Sequence, residues 1–165
     1  MVHPISTFGA FHTTLSLIPV FTGFISFQRY GKIDPATRIG RVYWIGMIAA
    51  VLTSFGLSST GHFNPGHALG ILAAIMILIG TLSPRMRFLG RSAIYIQTAA
   101  MSFSFMLLMI PGTNETLSRL PVNHPIGNGP DSPAVRLALM SMFVLFLLGT
   151  TYQIFRLRSN RTPIN

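Results

Sequence analysis

Five runs of mainly apolar residues, about 8–27, 41–58, 66–82, 92–110 and 134–155, take up most of this 165-residue chain and decide what it can become. The hydrocarbon core of a bilayer is about 30 Å thick and needs roughly 20 mainly apolar residues per helix, so each run is long enough to cross it. Half of the residues are hydrophobic and only 9% are charged, a balance that excludes a soluble globular domain. The expectation is an all-α membrane protein: a single domain over residues 1–165, a bundle of five transmembrane helices, and one long connection at 111–133. No basic residue precedes the first apolar run, so a cleaved signal is not expected. Cysteine is absent, which removes disulfides, thiolate ligands and cysteine nucleophiles together.

The net charge of +9 is a topology signal. Arg29, Lys32, Arg38 and Arg41 lie between runs one and two, Arg85, Arg87 and Arg91 between three and four, and Arg156, Arg158 and Arg161 after run five. If every run crosses, these ten share one side, offset only by Asp34, while Arg119 and Arg136 balance Glu115 and Asp131 on the other. Positive residues are retained in the cytoplasm, which places the N-terminus outside and the C-terminus in the cytoplasm of a bacterial inner membrane. The basic residues then meet anionic lipid headgroups, and bound lipid is expected. They are scattered over three short segments rather than gathered on one face, which argues against nucleic acid as a partner.

Small residues mark the helix contacts. Gly66, Gly70 and Ala74 recur every fourth position in run three, and Gly46, Ala50 and Ser54 do the same in run two. In lipid, helices associate by close packing, so these faces predict that runs two and three touch, with run three at the centre of the bundle. Pro19 removes a hydrogen bond from run one and predicts a packing kink. Arg41, Tyr43 and Trp44 at the start of run two read as interfacial anchors. Gln97 is expected to bond to a neighbouring helix, because a bare amide in hydrocarbon is costly. Met101, Met106, Met109, Met140 and Met142 read as gap fillers, with a soft metal site as the alternative.

All five histidines, His3, His12, His62, His67 and His124, fall on the side opposite the basic residues. His12 and His67 stand at the starts of runs one and three and so reach the same surface. A pair of neutral imidazoles between helices is a common way to hold haem b; the same pair joined by His62 forms the alternative, a copper or zinc site. Structural capping or bridging is the competing reading of these residues. There are only three carboxylates, none within a run, which argues against a proton-coupled pump. Paired acids, a nucleophile elbow and a phosphate-cradling loop are absent from the sequence, so an enzyme is not the favoured reading.

The run Arg38-Ile39-Gly40-Arg41-Val42-Tyr43, the stretch Gly61 to Leu69 and the segment Arg87-Phe88-Leu89-Gly90-Arg91-Ser92 resemble a family of small bacterial membrane proteins, domain of unknown function 2306. The likeness runs from about His12 to Pro121. It implies histidines at the starts of spans one and three, matched by His12 and His67, and inner histidines at positions occupied here by Ala36 and Arg85. If the family holds two haems, this chain keeps ligands for the outer one alone. Three functions follow in order: an accessory or assembly subunit packed against a larger membrane complex, a b-type haem protein using His12 and His67, and a copper or zinc handler.

Overall fold

The computed structural model of the protein describes residues 6–57 and 64–159. Among the described residues the regular structure is entirely helical: α1 (Thr7–Tyr30), α2 (Arg38–Ser54), α3 (Pro65–Leu82), α4 (Ala93–Arg119) and α5 (Pro133–Ser159). Short 3₁₀ turns follow α2 at Phe55–Leu57 and link α3 to α4 at Ser83–Arg85 and Arg87–Ser92. All five helices, extended by these turns where they adjoin, are long and apolar enough to cross a membrane. The starts of α1, α2 and α3 are written in short polar side chains. Ser6, Thr37 and Asn64 turn an oxygen onto the N–H of Gly9, Gly40 and His67, each satisfying a donor that the first turn leaves without a helical partner. Pro65 then takes the first position of α3, where no N–H is needed. α1 ends at Gly31, whose φ of 70° lies in the left-handed region that glycine enters without a Cβ penalty.

The connection from α1 to α2 is held by its one acid. Asp34 pairs with Lys32 at 3.0 Å and accepts the Ala36 N–H at 2.9 Å. Partial burial alone would raise the Asp34 carboxyl; the Ala36 N–H and the Lys32 ammonium outweigh it and hold the group below its ordinary value.

Four expectations are corrected by the packing. The first concerns the long connection, expected to span 111–133. α4 continues through Pro111 to Arg119, leaving 120–132 as the loop. A proline costs one backbone bond, but the turns beyond it are helix-compatible and carry a Glu115–Arg119 ion pair four residues apart. The loop is tied back onto this extension, with the Gly127 N–H donating to the Leu117 carbonyl at 2.9 Å and the Gly129 N–H to Ser118 Oγ at 3.0 Å.

The second concerns the centre. α1 packs on α2, α2 on α3 and α3 on α4, while α4 also meets α1 and α5. α4 is therefore the hub rather than α3: half of its most apolar stretch is buried, against 28% for α3. Ala100, Ser102 and Ser104, interspersed with Met101 and Phe105, give it close-approach surfaces on several sides, and all five are buried.

The third is the small-residue stripe. The buried face of α3 is His67, Gly70, Ala73, Ile77 and Gly80, with Gly66 exposed. A strict four-residue spacing drifts around a helix of 3.6 residues per turn, so 66, 70 and 74 do not stay on the contact. Gly70 meets Ser54 of α2, as expected, but Gly80 lies against Met101 of α4, and Gly46 of α2 faces α1. A Cβ on Gly46 would stand 2.8 Å from Pro19 Cδ, so the α1 proline is a packing element seated on a glycine.

The fourth is Tyr43. It is no interfacial anchor, being fully buried with its hydroxyl 2.7 Å from Ser104 Oγ. Ser104 spends its own proton on the Met101 carbonyl at 2.8 Å, so Tyr43 is the donor. α5 lies at the periphery; only Val135 and Gln153 are buried along it.

Candidate functional site

Two places bring chemistry-bearing residues together, one at each end of the bundle. At the end opposite the basic residues stand His12 and His67. His12 Nδ1 lies 2.8 Å from Thr53 Oγ1 on α2, and Nε2 lies 3.4 Å from Ser16 Oγ. Thr53 donates its hydroxyl proton to the carbonyls of Ala49 and Ala50, at 2.8 and 3.1 Å. His12 must then carry its proton on Nδ1 and donate to Thr53, leaving Nε2 as the acceptor for Ser16. His67 is 8% exposed and its ring stacks on Phe55, with centroids 5.2 Å apart.

The two imidazoles flank the end of α2. Thr53 meets His12, and Gly56 meets the Phe8 ring of α1. On the other flank Ser54 meets Gly70, and Phe55 meets His67 of α3. At about 100° per residue, positions 53 and 56 share one side of the helix while 54 and 55 turn to the other. A haem clasped between His12 and His67 would need this end of α2 to move aside, so the residues as placed do not fit that group. Among the described residues no three His, Cys, Asp or Glu side chains form a group able to hold a metal ion. His62, expected as a third ligand, and His3 lie outside the described residues. His124 is exposed in the 120–132 loop.

At the basic end, α1, α4 and α5 are joined by a chain of polar bonds. Gln153 of α5 donates from Nε2 to the Gly31 carbonyl at 2.9 Å, and its Oε1 accepts the Ser102 hydroxyl of α4 at 2.8 Å. This is the interhelical amide expected of Gln97, which is itself buried on α4. Gln153 escaped the sequence reading although its signal was present: an amide within an apolar run, as at 97. Beside this junction a cleft of about 560 Å³ opens between the three helices, lined by Phe24, Phe27, Phe105, Met106, Met109 and Met142 along its length. Its polar end is formed by Gly31, Ser102, Gln153 and Arg156.

These features define a class, a multi-pass helical membrane protein in which Tyr43 with Ser104, Ser102 with Gln153, and His12 with Thr53 bridge one helix to another, while most of its serines and threonines bond within their own helix. Compared with family models, with curated proteins and with solved structures, the chain matches none of them.

Proposed function

We propose that the protein is a small accessory or assembly subunit that packs, chiefly through α5, against a larger membrane protein. The observation that supports this reading most directly is how its intramembrane polar groups are used. The Tyr43 hydroxyl, the Ser102 and Gln153 pair, and the His12 and Thr53 pair each tie one helix to another. Polar groups in lipid are commonly retained for transport or catalysis; here these are spent on holding a scaffold. α5 supplies the docking face. Leu137, Val144 and Leu148 are 68%, 52% and 63% exposed on a helix that buries two residues over its 27.

The basic residues give the orientation of this reading, with the Arg29 to Arg41 and Arg85 to Arg91 connections in the cytoplasm of a bacterial inner membrane. The test is purification in mild detergent, wild type beside Leu148→Trp. A stoichiometric membrane partner that leaves with the substitution is expected; an isolated chain in both preparations refutes the proposal.

A further inference from the structure

The cleft between α1, α4 and α5 has the two parts of an amphipath's site. Its walls are aromatic rings and methionine side chains, which are large, apolar and, in methionine, conformationally adaptable. Along α5 it runs from Met142 to Arg156, a rise of about 21 Å, somewhat more than one leaflet of a core about 30 Å thick. A smaller hollow of about 330 Å³, which also touches Phe146, is lined by Met76, Ile96, Ala99, Ala100 and Phe103 and has no polar end. The cleft is different because it finishes on Arg156.

That arginine is seated by Gly31. The place a Gly31 Cβ would occupy is 2.8 Å from Arg156 Nη1, and the Gly31 carbonyl is fixed by Gln153. Among the described residues no side-chain carboxylate is left for it. The chain has three Asp and Glu residues, and each already holds another cation: Asp34 with Lys32, Glu115 with Arg119, and Asp131 with Arg136. The guanidinium therefore faces the headgroup level as an open fork of donors, suited to a phosphate. Arg29, two residues before Gly31 in the chain, adds a positive charge that would repel the ammonium of a zwitterionic headgroup, so the charge selects a lipid that is anionic overall.

We propose that this cleft is a binding site for one anionic phospholipid, an acyl chain between Phe24, Phe105 and Met142 and its phosphate on Arg156. The site does not depend on the accessory-subunit reading, because lipid retention is read on the purified chain alone. Gly149 lines the cleft and has nothing within 4 Å of the position a Cβ would take. Gly149→Phe thus fills the space without a clash at its Cβ, and replacing a helical glycine favours the helix.

The experiment is native mass spectrometry after equilibration in mixed micelles holding equal phosphatidylglycerol and phosphatidylcholine, with thermal unfolding followed in parallel in lipid-free detergent, where bound lipid adds no stability of its own. The wild type should retain one phosphatidylglycerol per chain, Arg156→Gln should lower the preference over phosphatidylcholine about five-fold, and Gly149→Phe should lose retention while unfolding no earlier. Equal retention of both lipids by the wild type overturns the headgroup assignment, and unchanged retention by Gly149→Phe overturns the site. A lipid-free dimer that Gly149→Phe dissociates would give the cleft to a second copy of the chain and refute the lipid.

Discussion

Replacing Gln153 by leucine tests whether polar bonds at the basic end hold the three helices together. The substitution removes two interhelical bonds, from Gln153 Nε2 to the Gly31 carbonyl and from the Ser102 hydroxyl to Gln153 Oε1. Bonds of this kind in membranes average about 0.6 kcal/mol and reach about 1.7, so two of them set a loss of about 1–2 kcal/mol. The figure stays below the cost of stranding a buried hydroxyl because Ser102 can turn back to a carbonyl of its own helix, as Thr98 does to Ile94. Unfolding in mixed micelles by graded addition of a denaturing detergent measures it. Ser102→Ala alone should cost about 0.6 kcal/mol, and the double variant less than the two singles together by a similar amount. Additivity within about 0.3 kcal/mol would show that the Ser102–Gln153 bond contributes nothing, and a stabilised Gln153→Leu would refute the bridging role of the amide altogether.

Further predictions concern the rest of the frame. Tyr43→Phe removes the donor to Ser104 while Ser104 keeps its bond to the Met101 carbonyl, so the loss in the same unfolding assay should be about 1 kcal/mol. Gly46→Ala places a methyl 2.8 Å from the Pro19 ring, which has little freedom to yield, and should cost about 1–3 kcal/mol; an unchanged midpoint would mean that α1 and α2 do not meet at these residues. The Asp34 carboxyl lies below its ordinary value, so its contribution to the α1–α2 connection is complete at neutral pH and is lost as pH falls through the lowered value. Hydrogen exchange of the 31–37 segment should therefore quicken on acidification in the wild type and be independent of pH in Asp34→Asn once corrected for intrinsic exchange. Reporter fusions should place the two termini on opposite sides of the membrane, as five crossings require, and a common side would remove the topology on which the orientation rests.

How much of this was readable from the chain depends on the range of the interaction involved. Gln97 and Gln153 are both amides inside apolar runs, and their composition announces equally that each needs a neighbour. Which one bridges to α1 is decided by the meeting of Gly31, Ser102 and Gln153, residues up to 122 positions apart in sequence. Tyr43 beside Arg41 has the pattern of an interfacial anchor, yet one more turn of packing seats it on Ser104. His12 and His67 sit at one end of the bundle, as the alternation of spans requires. The last turn of α2 between them is invisible to any count of spans.

The number of helices, their approximate extents and the single basic end were fixed by the sequence alone, because length and polarity against a slab of hydrocarbon act on each segment separately. The caps at Ser6, Thr37 and Asn64 and the stop at Gly31 belong with these, being settled within a few residues. The tertiary structure alone decided that α4 is the hub, that Pro19 sits on Gly46, that α5 stands off to open a cleft ending at Arg156, and that His12 meets Thr53 while His67 meets Phe55. Those outcomes depend on the rotation of one helix against another, and in lipid that rotation is set by close contacts between small and bulky side chains far apart in the chain.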